Sequence, residues 1–276
     1  MTAPPLSIIV ATRNESRQMA ECLRAISGFS HTIVVDSHSD DDTLSIAKTF
    51  DVETYQFDWN GAYPKKRQWI LDNLPLPHDW VLFIDADERL PQKLKTEIQA
   101  LLASHPDKNG YFIRSSYKIG NKVCRFGMQN NKLVLFDRHK MHFPVIDDLA
   151  CHGMGEIEGH YQPVSRDPYT KAKTGQLKTP MIHLMPDDTR TWERKHLRYA
   201  RWAACMNARH SWPKDPSLRR EQLKNVLRCI PFVPQIIFLH SFLLRLGCLD
   251  GGAGWKLARS RQRYYQMIKK AELARR

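Results

Sequence analysis

Three apolar runs, each closing on a cluster of polar residues, restrict this chain more than any other feature. Leu6-Ser7-Ile8-Ile9-Val10-Ala11 runs into Thr12-Arg13-Asn14-Glu15. Thr32-Ile33-Val34-Val35 runs into Asp36-Ser37-His38-Ser39-Asp40-Asp41-Asp42-Thr43. Trp80-Val81-Leu82-Phe83-Ile84 runs into Asp85-Ala86-Asp87-Glu88. Unbroken apolar runs this short read as buried strands. Helical patterns lie between and after them: Ser16 to Ile26, Thr43 to Phe50, Lys65 to Asn73, and Pro91 to Ala103 with proline in its first turn. Val52 to Tyr55 reads as one more short strand. Strands alternating with helices predict a doubly wound, parallel α/β sheet. Ligands of such sheets bind beyond the carboxyl ends of the strands, so all three polar clusters are expected in one crevice.

The pattern changes after Gly110. Tyr111 to Ile113 and Lys132 to Phe136 read as strands, residues 144–180 as loop, and Thr191 to Arg209 as a basic, aromatic helix. Leu218 to Leu246 is apolar with basic flanks, and Trp255 to Arg276 is a second basic helix. Charge follows the same division. From Arg190 onward 20 Lys and Arg stand against 5 acids, while the whole chain carries a formal charge of +13. A near-neutral body with a basic last third implies an anionic partner: nucleic acid, a phospholipid surface or a phosphorylated substrate. The six cysteines are scattered without a CxxC pair, which predicts reduced thiols in a cytosolic compartment. Cys151, His152 and His160 are close in sequence, but no second ligand pair at finger spacing supports zinc. The N-terminus has no basic n-region or full h-region, so no signal peptide is expected.

Three carboxylates at a strand end repel one another unless a cation or hydrogen bonds neutralise them. Oxygen ligands of this kind suit Mg²⁺ or Mn²⁺, held by one or two carboxylates plus substrate phosphates. On an extended backbone Asp85 and Asp87 face one side. Glu88 reads either as a third member or as the partner of Arg89. Asp36 could accept hydrogen bonds from a nucleobase or ribose, or serve an Asx turn. Asn14 reads as a helix cap.

The three motifs together, Ile8 to Glu15, Val34 to Thr43 and Trp80 to Glu88, resemble the successive motifs of family 2 glycosyltransferases of the GT-A fold. The similarity is to the bacterial lipopolysaccharide-core and envelope-polysaccharide type. It is clear from Leu6 to about Ala103 and continues more loosely through Glu158-Gly159-His160-Tyr161, Gly175-Gln176-Leu177, His183 and Trp192 to Ala200. His38 and Asp42 depart from it, since the subgroup often has glycine there. The resemblance implies a GT-A fold, that is, a Rossmann-like, mostly parallel central sheet with flanking helices. It also implies an inverting, metal-dependent hexosyltransferase using a nucleotide-sugar donor, a UDP-sugar, with Mg²⁺ or Mn²⁺. By the same implication Thr12, Arg13 and Glu15 line the nucleotide pocket and Asp36 contacts the uracil or ribose. Asp85 lies on the ribose or metal side, Ala86 lines the donor site, and Asp87 meets the metal and diphosphate.

Inverting transfer needs a carboxylate to deprotonate the acceptor hydroxyl, and a metal-bound carboxylate is a poor base. Family 2 enzymes supply it from a later loop, where Asp147, Asp148, Glu156 and Glu158 stand. The glycine-bracketed stretch Gly153 to His160 favours Glu158, then Glu156. His160 and His183 are further candidates for a metal or phosphate contact. Arg194, Arg198 and Arg201 recur at helical spacing, forming either a face for the donor diphosphate or an acceptor lipid phosphate, or a solvated basic face.

Cys229 to Leu244 holds no charged residue, yet it is shorter than the roughly 20 apolar residues of a spanning helix and is interrupted by Pro231 and Pro234. It reads as an amphipathic helical membrane-interface region or as a buried core helix. The division expected is a catalytic domain over 1–188, with a nucleotide half to about 105 and an acceptor half from 106, then a basic helical region over 189–276. The expected partners are the nucleotide sugar, a lipid-linked or lipopolysaccharide-type acceptor and an anionic membrane surface, not nucleic acid. The expected location is cytoplasmic, peripheral on the inner face of the bacterial inner membrane. A sugar-phosphate nucleotidyltransferase is the rival enzyme, but Ala11 to Glu15 lacks the glycine-rich phosphate loop. A basic membrane- or nucleic-acid-binding module would leave the acids at the strand ends unexplained.

Overall fold

The computed structural model describes residues 4–158, 161–186, 188–213, 215, 218–230 and 232–275. Its elements begin β1 (Leu6–Thr12), α1 (Ser16–Ile26), β2 (His31–Asp36), α2 (Thr43–Ala47), β3 (Glu53–Gln56), α3 (Lys66–Asn73), β4 (Trp80–Asp85), β5 (Glu88–Arg89) and α4 (Gln92–Ala103). Seven strands follow: β6 (Gly110–Ile119), β7 (Lys122–Val123), β8 (Asn130–Asp137), β9 (Met141–His142), β10 (Val164–Ser165), β11 (Thr174–Gln176) and β12 (Met181–Leu184). Then come α5 (Thr189–Arg209), α6 (Leu218–Cys229), α7 (Val233–Leu239), a π turn (His240–Leu244), a 3-10 turn (Gly247–Asp250) and α8 (Gly252–Leu273). These elements form two compact units, each assembled from three stretches of chain. The first comprises the chain up to Ser115, Asn131–Phe143 and Gln162–His183; the second comprises Ser116–Asn130, Pro144–Tyr161 and the chain from Leu184 onward.

The first unit is built on a sheet of order β3-β2-β1-β4-β8-β6-β12-β5. β1 lies between β2 and β4, parallel to both, with Ile9 opposite Ile33 and Phe83. Strands covered on both faces are apolar throughout, which is why this half was readable as continuous runs. The parallel expectation holds for β3-β2-β1-β4, and β11 also pairs parallel with β6, but the sheet is mixed beyond β4. β8 pairs antiparallel with β4, Leu82 opposite Leu135, and β12 pairs antiparallel with β5, His183 opposite Glu88. β5 follows β4 directly in the chain yet ends the strand order, so the sheet curls back on itself. α1 buries Met19, Cys22, Leu23 and Ile26, and α4 buries Leu94, Ile98 and Leu102. Both sets follow helical spacing.

In the second unit Asp188 caps α5, its carboxylate accepting the N–H groups of Arg190 (3.0 Å) and Thr191 (2.9 Å). The core gathers around the fully buried Trp202 with Met154, Met206 and Ile268, so α8 belongs to the same core as α5. The expectation of reduced thiols throughout is wrong for one pair: Cys151 and Cys205 form a disulfide. The loop from Pro144 packs on α5 and brings together two sulfurs 54 residues apart in the chain, a proximity no local spacing shows. That pairing also removes Cys151 as a zinc ligand. Among the described residues no helix is long and apolar enough to cross a membrane. The apolar segment breaks into α6, α7 and the π turn; Pro231 lies outside the described residues.

Candidate active site

The first unit collects charge at the carboxyl ends of β1, β2 and β4. β4 stops at Asp85, and Ala86–Asp87 form a turn before β5. Asp85 and Asp87 therefore do not share a strand face, contrary to the i,i+2 expectation. The two aspartates take different partners. Asp85 is held by two cations, Arg67 Nη2 at 2.9 Å on one oxygen and Lys132 Nζ at 2.7 Å on the other. Asp87 Oδ2 lies 3.7 Å from His183 Nε2. Glu88, almost fully buried, binds Lys132 Nζ at 2.7 Å, lies 3.4 Å from His183 Nδ1 and accepts the Asp85 N–H at 3.0 Å. Glu88 is thus the strut of the cluster rather than a partner of Arg89, whose guanidinium donates to the Ala86 and Glu88 carbonyls and to Gln18.

Topology explains each partner. Continuing the β4–β8 register by three residues sets Lys132 opposite Asp85. The β5–β12 pairing sets His183 opposite Glu88. Arg67 comes from the first turn of α3, beside Lys66, whose ammonium donates to the Thr12 carbonyl at 2.7 Å. Burial raises the Asp85 pKa, but Lys132 and Arg67 outweigh it and hold the carboxyl well below the ordinary range. Burial lowers the His183 pKa, and Asp87 and Glu88 outweigh it and raise it; a divalent ion would bind this imidazole only by displacing its proton. Burial likewise lowers the Lys132 pKa, and Asp85 and Glu88 overcome it, raising it.

The loops after β1 and β2 are stitched together. The Asn14 N–H donates to Ser39 Oγ (2.8 Å), the Glu15 N–H to Thr43 Oγ1 (2.8 Å) and the Asp40 N–H to Asn14 Oδ1 (3.0 Å). Asn14 is therefore not the cap of α1. That role falls to Asp41 of the neighbouring loop, which accepts the Ser16 N–H at 3.2 Å. Burial raises the Asp41 pKa, but the hydrogen bonds from Thr43 and Ser16 together outweigh it and lower it to about 2. Asp36 is fully buried and turned into its own loop, accepting the Ser39 N–H (2.8 Å), the Ser39 hydroxyl (2.5 Å) and Gln56 Nε2 (3.3 Å). His38 takes a positive φ of 52°, a conformation that glycine enters without strain. Arg13 is exposed and Glu15 half-buried beside these loops. Two buried hydroxyls, Thr12 Oγ1 and Ser37 Oγ, have no hydrogen-bond partner among the described residues. Buried hydroxyls without a protein partner call for one outside the chain, a water or a ligand.

The second unit carries the remaining predicted residues. Asp147 pairs with Arg209 at 2.5 Å, and Asp148 accepts the Trp202 indole N–H at 3.0 Å, so both acids are structural. Glu156 is half-buried and Glu158 almost fully buried, on the loop that Gly153 opens. Arg194, Arg198 and Arg201 are exposed on α5, whereas His196 stacks on Trp192 with ring centres 3.9 Å apart. His160 lies outside the described residues. Gly153 has a φ of +127°, and a Cβ there would meet the Arg198 carbonyl oxygen at 2.2 Å. Gly153→Ala is expected to destabilise the protein by about 1–3 kcal/mol in a urea melt. An unchanged midpoint would show that the loop does not need this close approach.

Among the described residues no three His, Cys, Asp or Glu side chains converge as a metal cage. Asp87 and His183 are the pair that fits a divalent ion, because both oxygens of Asp85 already face cations. Two protein ligands plus donor phosphates is the usual arrangement for such ions. Sequence reading missed Arg67 and Lys132, and put His183 on equal terms with His160. One signal was present: Lys65-Lys66-Arg67 stand at the start of a helix, where cations oppose the macrodipole and need another reason.

Comparison with known proteins bears on the same stretch. The model of the family "Glycosyl transferase family 2" matches residues 7–170. An uncharacterized glycosyltransferase of Rickettsia prowazekii is 37% identical over 101 residues, 36% of this chain and 34% of that one. The lipopolysaccharide core biosynthesis glycosyltransferase LpsC of Rhizobium meliloti is 29% identical over 122 residues, 42% of this chain and 44% of that one. The match thus spans between a third and a half of these relatives' length. Among solved structures, glucosyl-3-phosphoglycerate synthase from Mycobacterium tuberculosis, in complex with Mn²⁺, UDP and glucosyl-3-phosphoglycerate, aligns with a TM-score of 0.32 and 21% identity, covering 42% of this chain and 45% of that one.

Proposed function

We propose, because this chain belongs to glycosyl transferase family 2, that it transfers a hexose with inversion from a UDP-sugar to a lipid-linked or lipopolysaccharide-type saccharide acceptor. The observation that carries the reading is the acidic cluster Asp85, Asp87 and Glu88, balanced by Arg67, Lys132 and His183 at the mouth of β4. A structural ion network would need no unpaired chemistry nearby. Yet the orphaned hydroxyls of Thr12 and Ser37 stand at the carboxyl ends of two adjacent parallel strands.

In this reading Thr12, Arg13, Glu15 and Ala86 line the donor pocket. Asp36 acts through its loop, fixing the turn that receives the nucleoside. Asp85 orients Arg67 and Lys132 toward the diphosphate. Asp87 and His183 hold Mn²⁺ or Mg²⁺, and the imidazole in the set favours Mn²⁺, since Mg²⁺ prefers oxygen. Such an ion would neutralise charge on the leaving diphosphate. Glu158 is the base that takes the acceptor proton, with Glu156 the second candidate; the burial of Glu158 keeps bulk water from competing for that proton. Arg194 and Arg198 are cations for a phosphate of donor or acceptor.

A lipid-linked acceptor calls for a membrane-facing surface. Leu239, Leu243, Leu244, Leu246 and Leu249 are all exposed, and Leu244 retains 77% of its accessible surface. So large an exposed apolar cluster, with Arg245 within it, suits the interface of an anionic bilayer. The protein is then peripheral, on the cytoplasmic face of the inner membrane. The test of the transfer reading is a panel of nucleotide sugars assayed with Mn²⁺, Mg²⁺ or chelator. One UDP-sugar is expected to bind and hydrolyse slowly only with metal. Metal-independent turnover, or binding of none, would sink the reading.

A further inference from the structure

α8 carries a polar stripe that neither the fold nor the transfer reaction uses. Lys256, Arg259, Arg263, Gln266 and Lys270 follow one another at three- and four-residue steps and are all exposed, so they share one helix face. Like charges at these spacings destabilise a helix, and only Arg263 of the stripe is ion-paired with an acid among the described residues. It does not lie on a flat surface. With Thr189, Trp192 and Glu193 of α5 it walls a cavity of about 550 Å³, within the size range of small-ligand sites. Four of the wall residues are cations and one is an acid, Glu193, which is bound to Arg263 at 2.9 Å.

A second cavity of about 370 Å³ adjoins the first and shares Gln266 and Lys270 with it. Its wall is different. Phe232, Pro234 and Leu273 line it together with Gln235, Gln266, Lys269 and Lys270, and Phe232 and Leu273 keep about two thirds of their surface exposed. One helix therefore passes from a mainly cationic wall to one where apolar side chains stand beside lysines. A free phosphate or sugar phosphate would use only the cationic part. An amphiphile with a phosphate ester at its head uses both.

We propose that α8 and the first turns of α5 form a headgroup site for an anionic, phosphate-bearing lipid. The phosphate sits among Lys256, Arg259 and Lys270, and the hydrocarbon runs along Phe232 and Leu273. The inference rests on the membrane reading in one respect only, that this unit meets a bilayer.

The test uses the full chain and vesicles of phosphatidylcholine with or without phosphatidylglycerol, at fixed ionic strength. Arg259→Gln/Lys270→Gln is expected to weaken binding to the anionic vesicles about 30-fold, at about tenfold or less per cation removed. Binding to neutral vesicles should be unchanged. The pair Arg201→Gln/Arg275→Gln removes the same charge from exposed positions outside the cavity and should cost less than about threefold. An equal loss in both pairs means diffuse attraction and overturns the site. Leu243→Ser/Leu244→Ser should weaken both kinds of vesicle binding alike. If it does while the cavity pair has no effect, the membrane reading stands and the headgroup site falls; if neither matters, the membrane reading falls too. Glucose 1-phosphate titrated without vesicles should bind weakly. Tight binding would make the cavity a saccharide-phosphate site and overturn the lipid assignment. All four cavity and control residues are exposed, so unchanged melting curves are expected.

Discussion

On the proposed reading, Asp87→Ala is expected to lower metal-dependent turnover of a UDP-sugar by at least about 10²-fold, with the melting temperature little changed. The size follows from the division of labour in the cluster. Asp85 and Glu88 are bound to Lys132, and Asp85 also to Arg67. Asp87 instead faces His183, at 3.7 Å, so its removal takes a ligand and spares the struts. His183→Ala should reduce turnover and Mn²⁺ affinity similarly, and the double variant should be little worse than either single one, as residues acting on one ion are non-additive. Mn²⁺ titration by electron paramagnetic resonance provides a readout separate from turnover. Retention of tight Mn²⁺ binding in both single variants would remove this pair as the metal seat.

Lys132→Met acts on stability first. It takes the ammonium from Glu88, which is 1% exposed and keeps His183 at 3.4 Å beside it, and leaves Asp85 with Arg67. Breaking a buried pair by removing one partner costs about 3–5 kcal/mol, because the remaining charge is uncompensated. The loss should appear as a lower denaturant midpoint at neutral pH. Glu88→Gln in the same background should recover part of it, a coupling that a double-mutant cycle measures. If Lys132→Met melts like the parent, the ion network is peripheral to the fold and Glu88 is not its strut.

What could be read from the sequence was whatever had a local signature. β1, β2 and β4 are continuous apolar runs because both faces of the parallel half are covered, and their polar ends marked where Thr12, Asp36 and Asp85 stand. α1, α4 and α5 carried helical spacing, and α5 begins and ends within two residues of expectation. The unread parts depend on pairings between distant stretches. β5 is two residues long and β12 four, too short for an alternating pattern, so nothing marked His183 as the neighbour of Glu88. The turn at Ala86–Asp87 takes Asp87 off the strand face, and Asp36 faces its own loop because Ser39 and Gln56 supply its hydrogen bonds. The Cys151–Cys205 bond joins a loop to a helix that sequence spacing does not relate. Charge suggested a boundary near residue 188, whereas the compact units interleave, since strands and loops from the middle of the chain contribute to both.

The curl of the sheet sets an order of events during synthesis. Asp85, Asp87 and Glu88 leave the ribosome early, followed by Lys132, while His183 arrives 95 residues after Glu88. Contacts so far apart in the chain form late, after the entropy of closing the intervening loop has been overcome. A growing chain that has not reached β12 therefore holds an acidic cluster without its imidazole and a β5 strand without its neighbour. Such a half-built protein exposes an open strand edge beside acids that lack their last partner, so the last strand to join the sheet both closes that edge and completes the charge balance of the cluster.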